Sequence, residues 1–335
     1  MQALVTAGAF ALALVSLLAL AAERIWWADL LVHFRLQYLA IAVLLLGLAV
    51  WRRRRAWLAA ALLALALNAV PVARQFGVAP PVVAARAAAA TAVNAQPPLR
   101  IAASNLLWRN RAHAGAIAWA RQTQADLLVF VEVDARWEQS LGQLRDAYPF
   151  ARTLRRAGHS GTLLLSRWPI DAAATLDAGT PGTPELAVDV TTPGGSLRLI
   201  AVHATWPLGG AVSAARAREF ATIAAAARGT TLPVVVIGDF NVTPWSPHFA
   251  ALLERGRLRD AAAGFGWQPT WPSFLPPLGL RIDHALLSPG IVVNSFARGR
   301  VEGSDHRPII VDLRLPPQGV SAVQRREPGD TGGRG

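Results

Sequence analysis

Val234-Val235-Val236-Ile237-Gly238-Asp239-Phe240-Asn241 is a short apolar run that ends on polar residues a core cannot use. A run of this kind predicts a strand buried on both faces. The pattern recurs on either side of it. Upstream, 101–103 precede Ser104 and Asn105, 127–131 precede Glu132, and 199–202 precede His203. Downstream, Arg281-Ile282-Asp283-His284 borders the run 285–287, and Ser304-Asp305-His306-Arg307-Pro308 leads into 309–311. If these strands share two packed sheets, their polar ends collect at one rim. The stretches with helical period at 114–122, 135–146, 211–227 and 247–255 then cover the outer faces.

The composition points to a second kind of environment. Of the 335 residues, 53% are hydrophobic and only 16% charged, against about 25% charged in ordinary soluble domains. Part of the chain therefore belongs in lipid, and an intrinsically disordered protein is excluded. With no cysteine, disulfide scaffolds, cysteine–zinc sites, iron–sulfur clusters and thiol nucleophiles are excluded as well. The formal charge of +12 comes from arginine, with no lysine. Residues 1–97 carry 8 arginines against 2 acidic residues and residues 98–316 carry 22 against 17. The basicity is thus concentrated near the N-terminus and does not by itself argue for a nucleic-acid partner.

Three apolar runs, at about 3–22, 36–51 and 56–72, predict an all-α transmembrane region of three helices ahead of the polar-ended strands. A signal peptide is the rival for the first run, because Ala19-Leu20-Ala21 resembles a cleavage site, but the basic n-region is missing. The short loop Arg52-Arg53-Arg54-Arg55 is expected to stay cytoplasmic by the positive-inside rule. The third helix then carries everything after it to the other side of the membrane. This predicts a multi-pass membrane protein with its C-terminal domain on the extracytoplasmic side. Residues 74–97, rich in Ala, Pro and Val, read as a linker, 98–316 as the domain and 317–335 as a disordered tail.

Taken singly, the polar residues have ordinary readings. Glu132 alone would be a solvated turn residue, His203 a satisfied core histidine, Asn105 a strand-end cap, and Asp239 and Asn241 parts of a turn. Together, carboxylates and amides at strand ends suit a hard divalent ion, which prefers oxygen ligands and retains water. Asp305, His306 and Arg307 crowded before an apolar strand are the hardest to assign to packing.

The order and context of these segments resemble the endonuclease/exonuclease/phosphatase superfamily, the group of deoxyribonuclease I, repair nucleases, neutral sphingomyelinases and inositol polyphosphate 5-phosphatases. The likeness covers roughly 99–314, through IAASN, DLLVFVEV, GTLLLSRWPI, LIAVHATWP, VVVIGDFNVTP, RIDHALLS and GSDHRPIIVDL. Within the family the chain looks most like the bacterial membrane-anchored branch. The resemblance implies an α/β fold of two packed mixed sheets flanked by helices, a four-layer sandwich, and magnesium as cofactor, with manganese as a substitute. It implies that Glu132 holds the metal and that Asn105 supports the metal and phosphate end. His306, oriented by Asp283, would activate water, and Asp239 would align it; the family leaves open which of His306 and Asp239 takes the proton. Asn241 and His203 would hydrogen-bond the non-bridging phosphoryl oxygens. Asp305 would be a second metal ligand or an anchor of the histidine loop.

The sequence departs from the family pattern at Leu107, where several relatives have an acidic or amide residue, and at His284, where many have an aromatic one. For His284 packing is the expected role. Arg167 has two readings, a phosphate contact and a surface ion pair. Trp206, Trp245 and the aromatic, Pro-rich segment around Trp271 are expected to border the cleft, where Trp206 and Trp271 would contact substrate by stacking on bases or sit at a membrane interface. Stiffening of the Pro-rich loop is an equal alternative for the segment. The expected partners are a phosphoester substrate, phospholipid-like or nucleic acid, and the lipid bilayer, with no obligate protein partner evident. The expected activity is metal-dependent phosphoester hydrolysis, with a nuclease as the first alternative and a catalytically silent phospho-ligand-binding module as the second.

Overall fold

The computed structural model describes residues 2–76, 97–156, 161–179 and 184–317. Most of the expected linker, all but the first residue of the expected tail, and His159 lie outside the described residues.

The N-terminal region is helical: α1 (Gln2–Leu18) with a 3-10 turn after it, α2 (Trp26–Val32), α3 (Arg35–Trp51) and α4 (Arg55–Phe76). Two of these helices are long and apolar enough to cross a membrane, and three can if α2 and α3, bent by 60° at their junction, form one broken span. The short α2 is the difference from the sequence reading, which began the second span at residue 36. Ala13, Ala42, Ala49, Ala61 and Ala64 form a small-residue core between α1, α3 and α4, which allows close helix packing. A buried polar line crosses it: Asn68 Nδ2 donates to Ser16 Oγ (2.9 Å) and Arg35 Nη1 to Asn68 Oδ1 (3.3 Å).

The second region holds two six-stranded sheets. The first has β1 (Leu99–Asn105), β2 (Leu127–Val133), β3 (Phe150–Leu154), β4 (Gly161–Ser166), β11 (Val292–Arg298) and β12 (Ile309–Arg314), in the order β11-β12-β1-β2-β4-β3. The second has β5 (Ile170–Leu176), β6 (Glu185–Thr192), β7 (Gly195–His203), β8 (Val234–Asp239), β9 (Arg259–Asp260) and β10 (Asp283–Leu287), in the order β5-β6-β7-β8-β10-β9. Each sheet has one parallel pair at its centre, β1–β2 and β7–β8, and a parallel pair needs a long crossover. The crossovers are α5 (His113–Thr123) and α7 (Gly210–Arg228), each on the outer face of its sheet beside a shorter helix, α6 (Ala135–Leu141) or α8 (Pro247–Gly256).

Central strands covered on both faces explain the continuous apolar runs of the sequence. Ile101, Val129, Leu199, Val235 and Val311 fill the layer between the sheets. Their neighbours point outward: Ala102, Leu128 and Phe130 meet Trp119 and Trp137 of α5 and α6, and Ile200, Val202 and Val236 meet Phe220 and Phe249 of α7 and α8. The four-layer α/β sandwich is thus present. Parallel neighbours end at the same edge, so β1 and β2 deliver Asn105 and Glu132 together, and β7 and β8 deliver His203 and Asp239.

The two regions touch. Trp245 and Trp267 stack at 5.5 Å, and both pack with Ala19, Ala22, Val32 and Val72 at one end of the helical bundle. Trp245 therefore belongs to this contact rather than to the rim of the cleft.

Candidate active site

Backbone irregularities aim the side chains at the rim. The pairing of β2 with β4 shifts register between Val131 and Val133, and Glu132 between them has φ 58. A bulge with a left-handed residue re-aims one side chain, and Glu132 thereby turns to the strand ends. There Trp108 N donates to Glu132 Oε2 (3.0 Å) and Asn105 Nδ2 to Oε1 (2.9 Å). Gly238 has φ 144, and a Cβ on it would lie 2.0 Å from the carbonyl oxygen of Val202. Only glycine lets β8 come this close to β7, and it sets Asp239 opposite His203 in the parallel ladder and opposite Asp283 in the antiparallel one.

The side chains of both sheets then meet. Asn105 Nδ2 also donates to Asp239 Oδ2 (3.0 Å). Its Oδ1 accepts from Leu107 N (2.9 Å), which fixes the amide with its NH2 toward the two carboxylates. His306 Nδ1 lies 2.9 Å from Asp283 Oδ2, and its Nε2 lies 3.7 Å from Asp239 Oδ2. His203 Nε2 is 3.9 Å from Glu132 Oε1. Asn241, at φ 49, donates its N–H to Asp239 Oδ1 and its Nδ2 to Ala204 O, both at 2.9 Å. Asp305 Oδ2 accepts from the Trp271 indole at 3.1 Å, so Trp271 braces the histidine loop. Trp206 is 63% exposed.

Burial pushes Asp239 up to about 7, against the His306 charge and with help from Asp283. Burial works against a charged His306 ring, but Asp283 and Asp239 outweigh it and raise the ring to about 10. Both groups are thus pushed toward their protonated forms, Asp239 by burial and His306 by its two carboxylate neighbours.

A hard divalent ion fits this donor set. Glu132 keeps 19% of its side chain exposed, against 1% for Asp239 and 4% for Asp283, and is the most solvent-accessible of these carboxylates. Asp239, Asp283 and His306 have ligand atoms within 4.8 Å of one another. The His306–Asp283 hydrogen bond gives that group the geometry of an oriented imidazole.

The family model described as Endonuclease/Exonuclease/phosphatase matches residues 102–306. The chain belongs to this family. Its fold is shared with solved members. The endonuclease/exonuclease/phosphatase of Bacteroides vulgatus is 19% identical with a TM-score of 0.55 over 66% of this chain and 100% of that one. Its counterpart from Beutenbergia cavernae is 21% identical with a TM-score of 0.53 over 65% and 72%. A humanized D. rerio TDP2 is 17% identical with a TM-score of 0.55 over 65% and 99%. None of the curated proteins matches the sequence. Family members hydrolyse phosphoester bonds with divalent metals.

His284 packs as expected, and Arg167 lies away from these side chains. His284 is fully buried, 2.8 Å from Val242 O, and packs edge-on to Phe240; burial, aided by Arg281, lowers its pKa to about 4. Arg167 pairs with Asp126 (3.8 Å) at the opposite end of β2 from Glu132.

Several supports had no reading in the sequence. Arg156 and Glu185 form a buried pair (2.8 Å), with Arg156 donating to His203 O (2.8 Å) and Glu185 accepting from His203 N. Ser304 Oγ donates to Asn105 O (2.7 Å) and accepts from His306 N (3.0 Å), tying the first motif to the last. Ser304 stood in a quoted motif without a role. Arg156 and Glu185, 29 positions apart, carry no local pattern at all.

Proposed function

We propose that this chain is a membrane-anchored, divalent-metal-dependent phosphoesterase acting from the far side of a bacterial inner membrane. One observation carries the reading: Asp239 from one sheet lies between Asn105 and His306 of the other. Glu132 would hold the ion, with Asn105 and Asp305 as the other residues at that end, and when bound the ion would supply positive charge to the phosphoryl oxygens. Asp239 accepts the proton of the attacking water, since a base serves best when its pKa is near the working pH. His306, held by Asp283, donates from Nε2 and offsets developing negative charge. His203 and Asn241 flank the phosphoryl group, and Trp206 and Trp271 contact the rest of the substrate. Phosphoryl transfer asks for positioning and charge stabilisation, and these groups provide both.

Topology is supported by the course of the helices. The exposed Arg52–Arg55 loop stands at the end of α3, about 25 Å along a 17-residue helix from its first residue. At that near end, Gln37 Nε2 donates to Leu278 O of the catalytic domain (2.9 Å). Arginines and domain thus occupy opposite ends of the bundle, as the positive-inside rule requires of a periplasmic domain. Exposed Trp206 and Leu208, which follow His203, and exposed Phe274, next to Ser273 whose N–H donates to Asp305 O (2.7 Å), favour a phospholipid-like substrate. Nucleic acid is the second reading; D. rerio TDP2, a neighbour by fold, has been solved with a single-strand DNA product.

The test uses the full chain in detergent micelles. With magnesium it is expected to hydrolyse bis(p-nitrophenyl) phosphate and to stop on addition of EDTA. Parallel assays on phospholipid vesicles, plasmid DNA and RNA separate the substrate readings. Normal metal binding without hydrolysis of any phosphoester would instead favour the silent binding module.

A further inference from the structure

Asp29, in α2, is an acidic residue with no exposure to solvent, placed where the helical bundle meets the catalytic domain. Both of its oxygens are engaged by that domain. Arg216 Nη2 of α7, itself fully buried, donates to Oδ2 at 2.6 Å, and Ser246 Oγ donates to Oδ1 at 2.7 Å. Four residues on, His33 Nδ1 lies 2.9 Å from the Thr243 hydroxyl oxygen.

These contacts all bear on one loop. Asp239 and Asn241 open it, Thr243 lies in its middle and Ser246 closes it. Arg216 completes the connection: while Nη2 holds Asp29, Nη1 donates to the carbonyl oxygen of Asn241 (3.2 Å). Asn241 has the left-handed φ of 49, a conformation that persists when surrounding contacts over-determine it. Its N–H in turn fixes Asp239 Oδ1. A continuous path of hydrogen bonds, buried at the Asp29–Arg216 end and part-buried beyond it, therefore runs from α2 to the carboxylate at the centre of the site.

Taking the phosphoesterase reading for what the loop does, we propose that Asp29 is a positioning residue of the active site: it holds Arg216 and Ser246 so that the loop 240–246 keeps Asn241 and Asp239 in place. The N-terminal helices then do more than tether, because the loop takes its shape from a residue they supply. A charged pair is a reasonable device for this. A buried ion pair is weak as a source of stability but demanding in geometry, and Arg presents two donors in one rigid plane, here one to each partner.

The experiment compares the full chain with Asp29→Asn, Thr243→Val and Gln75→Leu in the same micelles. Asp29→Asn keeps the shape and loses the charge. Thr243→Val removes one loop contact. Gln75→Leu breaks a separate contact of the helices with the domain, to Asp260 Oδ2 at 3.3 Å. Amide hydrogen exchange is read across 240–246, with kcat and KM for bis(p-nitrophenyl) phosphate. Asp29→Asn is expected to speed exchange in that loop and to lower kcat on the order of ten- to a hundredfold, the scale of misplaced catalytic groups, with KM nearly unchanged. Thr243→Val should move both in the same direction by less, and Gln75→Leu neither. Unchanged exchange at 240–246 in folded Asp29→Asn protein, or an equal kcat loss in Gln75→Leu, would overturn the proposal. Absence of turnover in the unsubstituted chain would remove the phosphoesterase reading instead, and the exchange comparison would still decide the role of Asp29.

Discussion

Burial, with Asp283 beside it, lifts Asp239 to about 7, while the facing His306 and the hydrogen bonds from Asn241 and Asn105 pull the other way. The sign of the pH dependence follows. Below about 7 the carboxyl holds its proton and cannot take one from water, so the rate of phosphodiester hydrolysis should rise as pH passes through that value. His306, raised to about 10, keeps its proton over the same interval. A pH–rate profile of the full chain would check this, and a flat profile from pH 5 to 9 would contradict it. Asp283→Asn, which removes the carboxylate behind the ring, should lower kcat by about 10²–10³, within the usual range for loss of an acid–base group. The individual motif residues were legible in the sequence because each interrupts an apolar strand. Their supports were not. Arg156, Glu185, Asp29 and Arg216 pair across 29 and 187 positions, and no spacing rule reaches that far.

At the level of elements, the site depends on two central strand pairs that end together. Gly238 sets the closest approach between β7 and β8, and Gly238→Ala would drive a methyl into the backbone of Val202 at a φ that L-residues avoid. Overpacking and strain together should cost on the order of 3 kcal/mol or more, read as a lower unfolding midpoint in denaturant. An unchanged midpoint would mean that β8 can shift without cost. The outer helices and the six polar-ended strands appeared in the sequence, the strands with shorter bounds than observed, while the interior strand β6 had no reading. The edge strands did not appear either: in β5 (Ile170–Leu176) the middle five residues are all exposed, so neither burial nor alternation marks it. Helix α2 was hidden for a different reason. At seven residues it is too short to show a period, and the apolar stretch that follows it dominates the hydropathy.

For the molecule as a whole, the bundle and the sandwich share a buried contact built on Trp245, Trp267 and the Asp29–Arg216 pair. The composition signalled lipid-compatible helices, and the motif order signalled the sandwich. Their contact could not be read in advance, since it joins residues as far apart as Asp29 and Arg216, 187 positions. On the proposed topology, alkaline phosphatase fused after Pro98 should be active and a fusion within the Arg52–Arg55 loop inactive, and the reverse pattern would place the catalytic domain in the cytoplasm. The central claim is that a divalent ion held by Glu132 serves the Asp239–His306 pair in phosphoester hydrolysis. The most direct test titrates magnesium during hydrolysis of bis(p-nitrophenyl) phosphate by the full chain and by Glu132→Gln. The account predicts that Glu132→Gln needs at least about ten- to a hundredfold more magnesium for half-maximal rate, the scale seen when metal-site residues are lost. Hydrolysis that proceeds equally without the ion, or an unchanged magnesium requirement in Glu132→Gln, would contradict it.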